Sequence, residues 1–242
     1  IAGAYATYVG QEIGQFYGWV YKGIARTQED LDNNAVQQGA NIGDCLYEDI
    51  SGPDGTPDGV IDAYDQTVLG SGLPKVNFGL STHMEYKGFD LNISTYGVLN
   101  YHVSDDIYNS LNSCYGYGNK EVGMLDANRW SEDGSTYLSS VPRTYAANNA
   151  TLAWNDLFSS RKIQNAAYWK IANVELGYNF PDKWFGGYVS GVRLYVSAQN
   201  LYTFTGYHGY NVDYAGGTFT PGYNFCSFPS ARTFMCGLHF TF

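Results

Sequence analysis

Val76–Tyr86 reads VNFGLSTHMEY, and its residues sort by parity. Val76, Phe78, Leu80, Thr82, Met84 and Tyr86 form one set. Asn77, Gly79, Ser81, His83 and Glu85 form the other. Successive side chains of a strand point to opposite faces, so this stretch has one apolar, partly aromatic face and one small or polar face. Lys87-Gly88 follows, and two such residues suit a tight hairpin turn. The pattern then repeats, with Phe89, Leu91, Ile93 and Thr95 set against Asp90, Asn92, Ser94 and Tyr96. An antiparallel hairpin of long strands is predicted.

Three more strands are legible outward from it. One covers roughly Tyr168 to Tyr178; its parity slips near Ala172-Asn173, which predicts a β-bulge. Another starts at Val192, with Val192, Leu194, Val196 and Ala198 against Arg193, Tyr195, Ser197 and Gln199. The last ends the chain at Phe242. Its even positions Phe234, Leu238, Phe240 and Phe242 are expected to meet lipid, and Thr233, Gly237 and Thr241 the lumen. Strands of about 10 residues match a tilted bilayer crossing, whereas sandwich strands run to about 5–6. Tyr86, Phe89, Tyr178 and Phe242 sit at strand ends, where interfacial girdles lie. Short connections at 87–88 and about 180–191 alternate with long ones at about 100–165 and 208–230. Outer-membrane barrels alternate short periplasmic turns with long extracellular loops in this way. Counting back from a periplasmic C-terminus places segments 22–74, 100–165 and 208–230 outside the cell. The fold class expected is all-β: an antiparallel transmembrane β-barrel segment with long extracellular loops.

Composition agrees. Charged residues are 15% and aromatics 17%, with 23 Tyr and 29 Gly, yet mean hydropathy is only −0.29. That combination suits a sheet greasy on one side and polar on the other. The net charge of −10 excludes a nucleic-acid partner, since phosphate neutralisation needs surplus Lys and Arg. There is neither an N-terminal Met nor an apolar run long enough for a spanning helix, and the chain reads as part of a longer protein. Cys45, Cys114, Cys226 and Cys236 form no CxxC pair; Cys236 reads as a small apolar strand residue, and a disulfide among the other three stays open.

Five segments, in order, resemble the end of SusC-like TonB-dependent transporters. They are GQEIGQFYGWVYKGIA at Gly10–Ala25; DGTPDGVIDAYDQTVLG at Asp54–Gly70, with its hairpin LSTHMEYKGFDLNIS; Arg129-Trp130 with Val141-Pro142-Arg143; VRLYVSAQNLYTFTGYHGYN at Val192–Asn211; and PSARTFMCGLHFTF at Pro229–Phe242. The resemblance covers residues 1–242. It implies the closing strands of a large barrel of about 22 strands with a plugged lumen. It further implies an importer of glycans, oligosaccharides or peptides in the outer membrane of a Gram-negative, Bacteroidetes-like bacterium. Its partners would be a SusD-like surface lipoprotein, the rest of the barrel, membrane lipid and lipopolysaccharide. The TonB–ExbB–ExbD machinery would act through an N-terminal part, with its plug, that is absent from this chain. The terminal aromatic Phe242 would be the signal for barrel assembly.

Within residues 54–65 an EF-hand-like spacing appears. Asp54, Thr56, Asp58, Val60, Asp62 and Asp65 fall at positions 1, 3, 5, 7, 9 and 12, with Gly59 at the sharp turn and Val60 offering its carbonyl. Hard oxygen donors at this spacing suit a structural Ca²⁺. Thr56 and the short Asp65 depart from the usual ligands, and an insertion leaves Asp49 and Ser51 as rival early ligands. No enzyme signature stands out: His83, His102, His208 and His239 lack metal-ligand spacing, and Gly186-Gly187 lacks a P-loop Lys. Loop aromatics Tyr115, Tyr117, Trp130, Tyr137, Trp154, Tyr207, Tyr210 and Tyr214 suit either sugar stacking or packing between loops. Two other readings remain open: a secreted, calcium-stabilised carbohydrate-binding β-module, and a β-rich glycoside hydrolase.

Overall fold

The computed structural model describes residues 4–113, 119–122, 130, 141–144, 154–185, 189–213 and 216–241. Cys114, Tyr115, Tyr117, Arg129, Tyr137, Gly186-Gly187, Tyr214 and the terminal Phe242 lie outside the described residues. The chain divides into two compact units. A sheet unit comprises Pro74–Tyr101, Asn165–Asp213 and Ser227–Phe242. A loop unit comprises Ile1–Leu73, His102–Gln164 and Tyr214–Cys226.

The sheet unit is a meander of five antiparallel strands, each paired with its neighbours in sequence: β1 (Val76–Tyr86), β2 (Phe89–Leu99), β3 (Tyr168–Phe180), β4 (Gly191–Thr205) and β5 (Thr233–Thr241). They run 11, 11, 13, 15 and 9 residues, long enough to cross a bilayer at a tilt. At the β1–β2 turn, Lys87 and Gly88 have φ of 49° and 87°. Positive φ at both centres is what a type I′ turn demands. From there the register runs without a break from Tyr86↔Phe89 to Val76↔Leu99.

The predicted bulge is present. On β3 the register shifts between Ile171 and Asn173 against both neighbours, leaving Ala172 unpaired. Against β4, Ile171 pairs with Tyr202 and Asn173 with Gln199, so Asn200 and Leu201 together oppose Ala172. Asn200 takes φ 52°, and Asn tolerates the left-handed region a bulge requires.

Pairing extends the two faces across all five strands. One row carries Met84, Leu91, Leu176, Val196 and Cys236. The adjacent row, pointing the other way, carries Glu85, Asp90, Gly177, Tyr195 and Gly237. Apolar side chains on the first face are open: Leu80 is 63% exposed, Val196 49% and Leu238 58%. An apolar surface this continuous is not tolerated in water. Aromatic rings bound it at both ends. Tyr178 contacts both Phe89 and Phe180 near the short turns, and Trp169 stacks on Phe204, which touches Tyr202, at the far end. Tyr178 lies nine positions past Trp169. At about 3.3 Å per residue, and with a barrel strand's tilt, the rings bracket about 20–25 Å, the height of a lipid-facing band.

The loop unit has its own small core. Cys45, Tyr47 and Ile61 are buried, with Trp19, Tyr21, Ala35, Trp154 and Leu157 packed on them. Around it lie short pairings: Tyr5–Ala6 with Gln15–Gly18 with Thr67–Ser71, and Tyr21–Ile24 with Cys45–Tyr47. Asp44, 1% exposed, accepts from Arg143 Nε at 2.6 Å and Nη2 at 2.8 Å, and from Asn155 Nδ2 at 2.8 Å. Asn155 returns an acceptor to the Cys45 amide at 2.7 Å. The resemblance segment Val141-Pro142-Arg143 thus supplies the cation for a buried carboxylate. Cys226 is a free thiol, as is Cys236 on β5.

Candidate functional site

Three places in the molecule gather chemistry-bearing side chains. The first is the polar face of the sheet near the short turns. Arg193 on β4 donates to Asp90 on β2 through Nε at 3.0 Å and Nη2 at 2.5 Å, and to Glu175 on β3 at 2.7 Å. Asn179 Nδ2 also donates to Asp90, at 3.1 Å. Gly177 makes the room: a Cβ there would stand 2.5 Å from Asp90 Oδ1 and 2.6 Å from Arg193 Nη2. Gly237 likewise lies beneath the Tyr195 ring. His83, predicted to line the polar face, bonds Asn92 at 2.6 Å and Glu85 at 3.0 Å. His239 pairs with Arg193 across β4 and β5. Carboxylates and cations here are paired with each other across strands, and none is arranged as an acid–base pair around an open position.

The second place is the far end of the same unit. Asp213, in the connection after β4, accepts from the Tyr96 hydroxyl, from the Tyr168 hydroxyl at 2.8 Å and from Lys170 Nζ at 3.3 Å. Burial acts to raise the Asp213 carboxyl, but the two phenols and Lys170 outweigh it and hold its pKa below the usual carboxylate value. The segment 206–213 is thereby strapped to the sheet. Between strap and strands lies a cavity of about 320 Å³, lined in part by Tyr207, Tyr210 and Arg232. Sequence reading flagged Tyr207 and Tyr210, but not Lys170 or Asp213. Lys170 sits on a polar-parity position of β3, which was the available signal.

The third place is the Asp-rich loop, in the loop unit. Asp54 and Thr56, expected at the first and third ligand positions, stand exposed. The Gly59 amide instead donates to Asp49 Oδ2 at 2.7 Å. Asp58 Oδ1 accepts from Val60 N at 3.0 Å, and Asp62 Oδ1 from Tyr64 N at 2.7 Å. Asp65, fully buried, accepts from the amides of Ile50, Ser51 and Asp62. Ile61, within the loop, is buried in the small core. The described residues hold no group of three or more acidic, His or Cys side chains gathered for a metal. Asp49 Oδ1, however, is buried with no hydrogen-bond partner, and it belongs to the rival ligand rather than to Asp54.

A two-faced meander of long strands, apolar outside, polar inside and banded by aromatic rings, defines a segment of transmembrane β-barrel wall. No family model matches the chain. It is similar to the TonB-dependent receptor P3 of Formosa agariphila, 30% identical over 242 residues, covering 96% of this chain and 22% of the relative. It is also similar to the TonB-dependent receptor SusC of Bacteroides thetaiotaomicron, 25% identical over 87% of this chain and 21% of the relative. Among solved structures, the RagAB peptide transporter superposes with a TM-score of 0.70 at 21% identity, over 93% of this chain and 22% of that one. That likeness shows the barrel fold. The chain spans about a fifth of the length of these curated relatives. Over the length it spans, the chain has the fold of a transmembrane β-barrel segment and is similar in sequence to part of these TonB-dependent receptors.

Proposed function

We propose that the chain forms the closing wall and part of the outer loops of an outer-membrane barrel that imports oligosaccharides or peptides. A SusD-like lipoprotein would work on its surface side, and TonB would supply energy through a part of the protein outside this chain. The observation that carries the reading is the open apolar face backed by a paired polar face. Such a wall separates lipid from an aqueous lumen. The similarity to SusC and the structural likeness to the RagAB peptide transporter support a two-component importer. Relatives from Formosa and Bacteroides support the host group. The test is growth of the native host on single oligosaccharides or peptides as sole carbon source. Deleting the gene for the whole protein should abolish growth on one substrate, and removing TonB should do the same. Deletion with no substrate-specific growth defect across the panel would sink the import reading. A tagged transporter should also bring down a surface lipoprotein.

A structural Ca²⁺ on the Asp-rich loop belongs to this proposal, with Asp49 added to its expected ligands and Asp54, Thr56 and the amide-bonded Asp65 removed. Asp49, Asp58, Asp62 and the Val60 carbonyl would hold it, while Asp54 and Thr56 stay outside. The buried, partnerless Asp49 Oδ1 favours this set, and divalent charge would offset the repulsion between the loop's carboxylates. Metal analysis of the purified transporter in millimolar Ca²⁺ is expected to give one bound ion that Asp49→Asn removes and Asp54→Asn does not. No ion under those conditions would leave the spacing as a self-capped turn. Such sites can be as weak as about 10⁻⁴–10⁻³ M, so the buffer must hold that concentration.

A further inference from the structure

The cavity under the 206–213 strap is a built space rather than a gap between loops. Its floor is fixed by three donors on Asp213. Its far wall, the return segment into β5, is held by two asparagines: Asn211 Nδ2 donates to Phe228 O at 3.0 Å and Asn200 Nδ2 to Ala231 O at 2.9 Å. Asn200 is the left-handed bulge residue, so the bulge that ends the regular ladder also aims this clamp. About 320 Å³ is room for one or two sugar or amino-acid units.

The lining carries a particular chemistry. Tyr210 presents an open ring, 69% exposed. Ser230 and Thr203 add hydroxyls. Lys170 is committed to Asp213. Arg232 is not committed: of the cations among the described residues, only Arg232 and Lys183 have no carboxylate, carbonyl or ring partner. Lys183 lies at the opposite, short-turn end of the strands. In a chain of net charge −10, an arginine with five donors and no acidic partner beside a preformed aromatic cavity is complementary to an anion.

We propose that this cavity is a subsite for a carboxylate-bearing ligand, with Arg232 pairing the carboxylate and Tyr210 supporting the adjoining residue. It deepens the import reading and rests on it for the supply of ligand. A carboxylate of this kind has two sources: the uronate of an acidic oligosaccharide or the C-terminus of a peptide. Asp213 is a positioning residue, since it reaches the ligand only through the strap it holds.

The test is calorimetric titration of the whole transporter in detergent at low salt. The probes are trigalacturonate and triglycine, with maltotriose and triglycine amide as their neutral counterparts. At least one carboxylated probe should bind more tightly than its neutral counterpart. Arg232→Gln should weaken that probe by about ten-fold or more, the scale of a lost charged hydrogen bond. Lys183→Gln should leave it unchanged. Preference for trigalacturonate assigns the oligosaccharide source, and preference for triglycine the peptide source. Equal binding of carboxylated and neutral probes, no binding of any, or an Arg232→Gln protein that binds as well as wild type would overturn the proposal. Failure of the import reading shows separately, as absence of a growth defect in cells, and does not alter the binding result.

Discussion

Replacing Val196 with arginine is expected to destabilise the folded barrel by about 2–4 kcal/mol. Val196 points to the apolar face in the row Met84, Leu91, Leu176, Val196 and Cys236. That row lies between the Phe89–Tyr178–Phe180 rings and the Trp169–Phe204 stack, so it sits inside the lipid-facing band. A guanidinium there has no acceptor except by distorting the bilayer. Depth sets the magnitude. Leu238, on the same face, pairs through Leu194 to Tyr178, in the ring layer itself. Leu238→Arg is therefore expected to cost nearer about 0–1 kcal/mol, because its charge reaches the interface. Urea unfolding in lipid vesicles measures both. Equal costs at the two positions would contradict the depth assignment.

Replacing Arg193 with methionine is expected to cost about 3 kcal/mol. The Asp90 side chain is 6% exposed and would keep only the Asn179 amide, while Glu175 would lose its cation. Removing one partner of a buried ion pair typically costs about 3–5 kcal/mol. The low end applies because the Arg193 side chain is 26% exposed. Uncharging the acids as well, by adding Asp90→Asn and Glu175→Gln to the Arg193→Met protein, should recover part of the loss. A single Arg193→Met change within about 0.5 kcal/mol of wild type, the range of ordinary surface substitutions, would mean that the cross-strand network carries little. Gly177→Ala should act on the same pair by crowding it from the middle.

The hairpin Val76–Leu99 was legible residue by residue because two solvents act on it. With lipid on one side and polar contacts on the other, every position is forced to declare its face. The bulge was legible on β3, where one extra residue flips parity at Ala172. It was invisible on β4, because Asn200 and Leu201 insert together and parity is restored. The loop unit was not legible at all. Its strands are two to five residues long, too short for periodicity, and its core joins Cys45 to Trp154 across the sequence. The bond from Arg143 to Asp44 spans 99 positions and leaves no local trace. In the Asp-rich loop, spacing alone pointed to Asp54, whereas backbone closure brings Asp49 to the Gly59 amide across the insertion. The sequence showed the insertion and left Asp49 as a rival ligand, but spacing counts residues rather than bonds and could not choose between Asp49 and Asp54.

Nitroxide labels placed singly at positions 192 to 198 of β4, in a cysteine-free full-length transporter reconstituted in lipid, test the central claim most directly. Accessibility to oxygen, which concentrates in lipid, should be high at 194, 196 and 198 and low at 193, 195 and 197, with the buried Val192 as an internal reference. Uniform accessibility along the strand, or alternation with the odd positions facing lipid, would contradict the assignment of this sheet as a two-faced membrane wall.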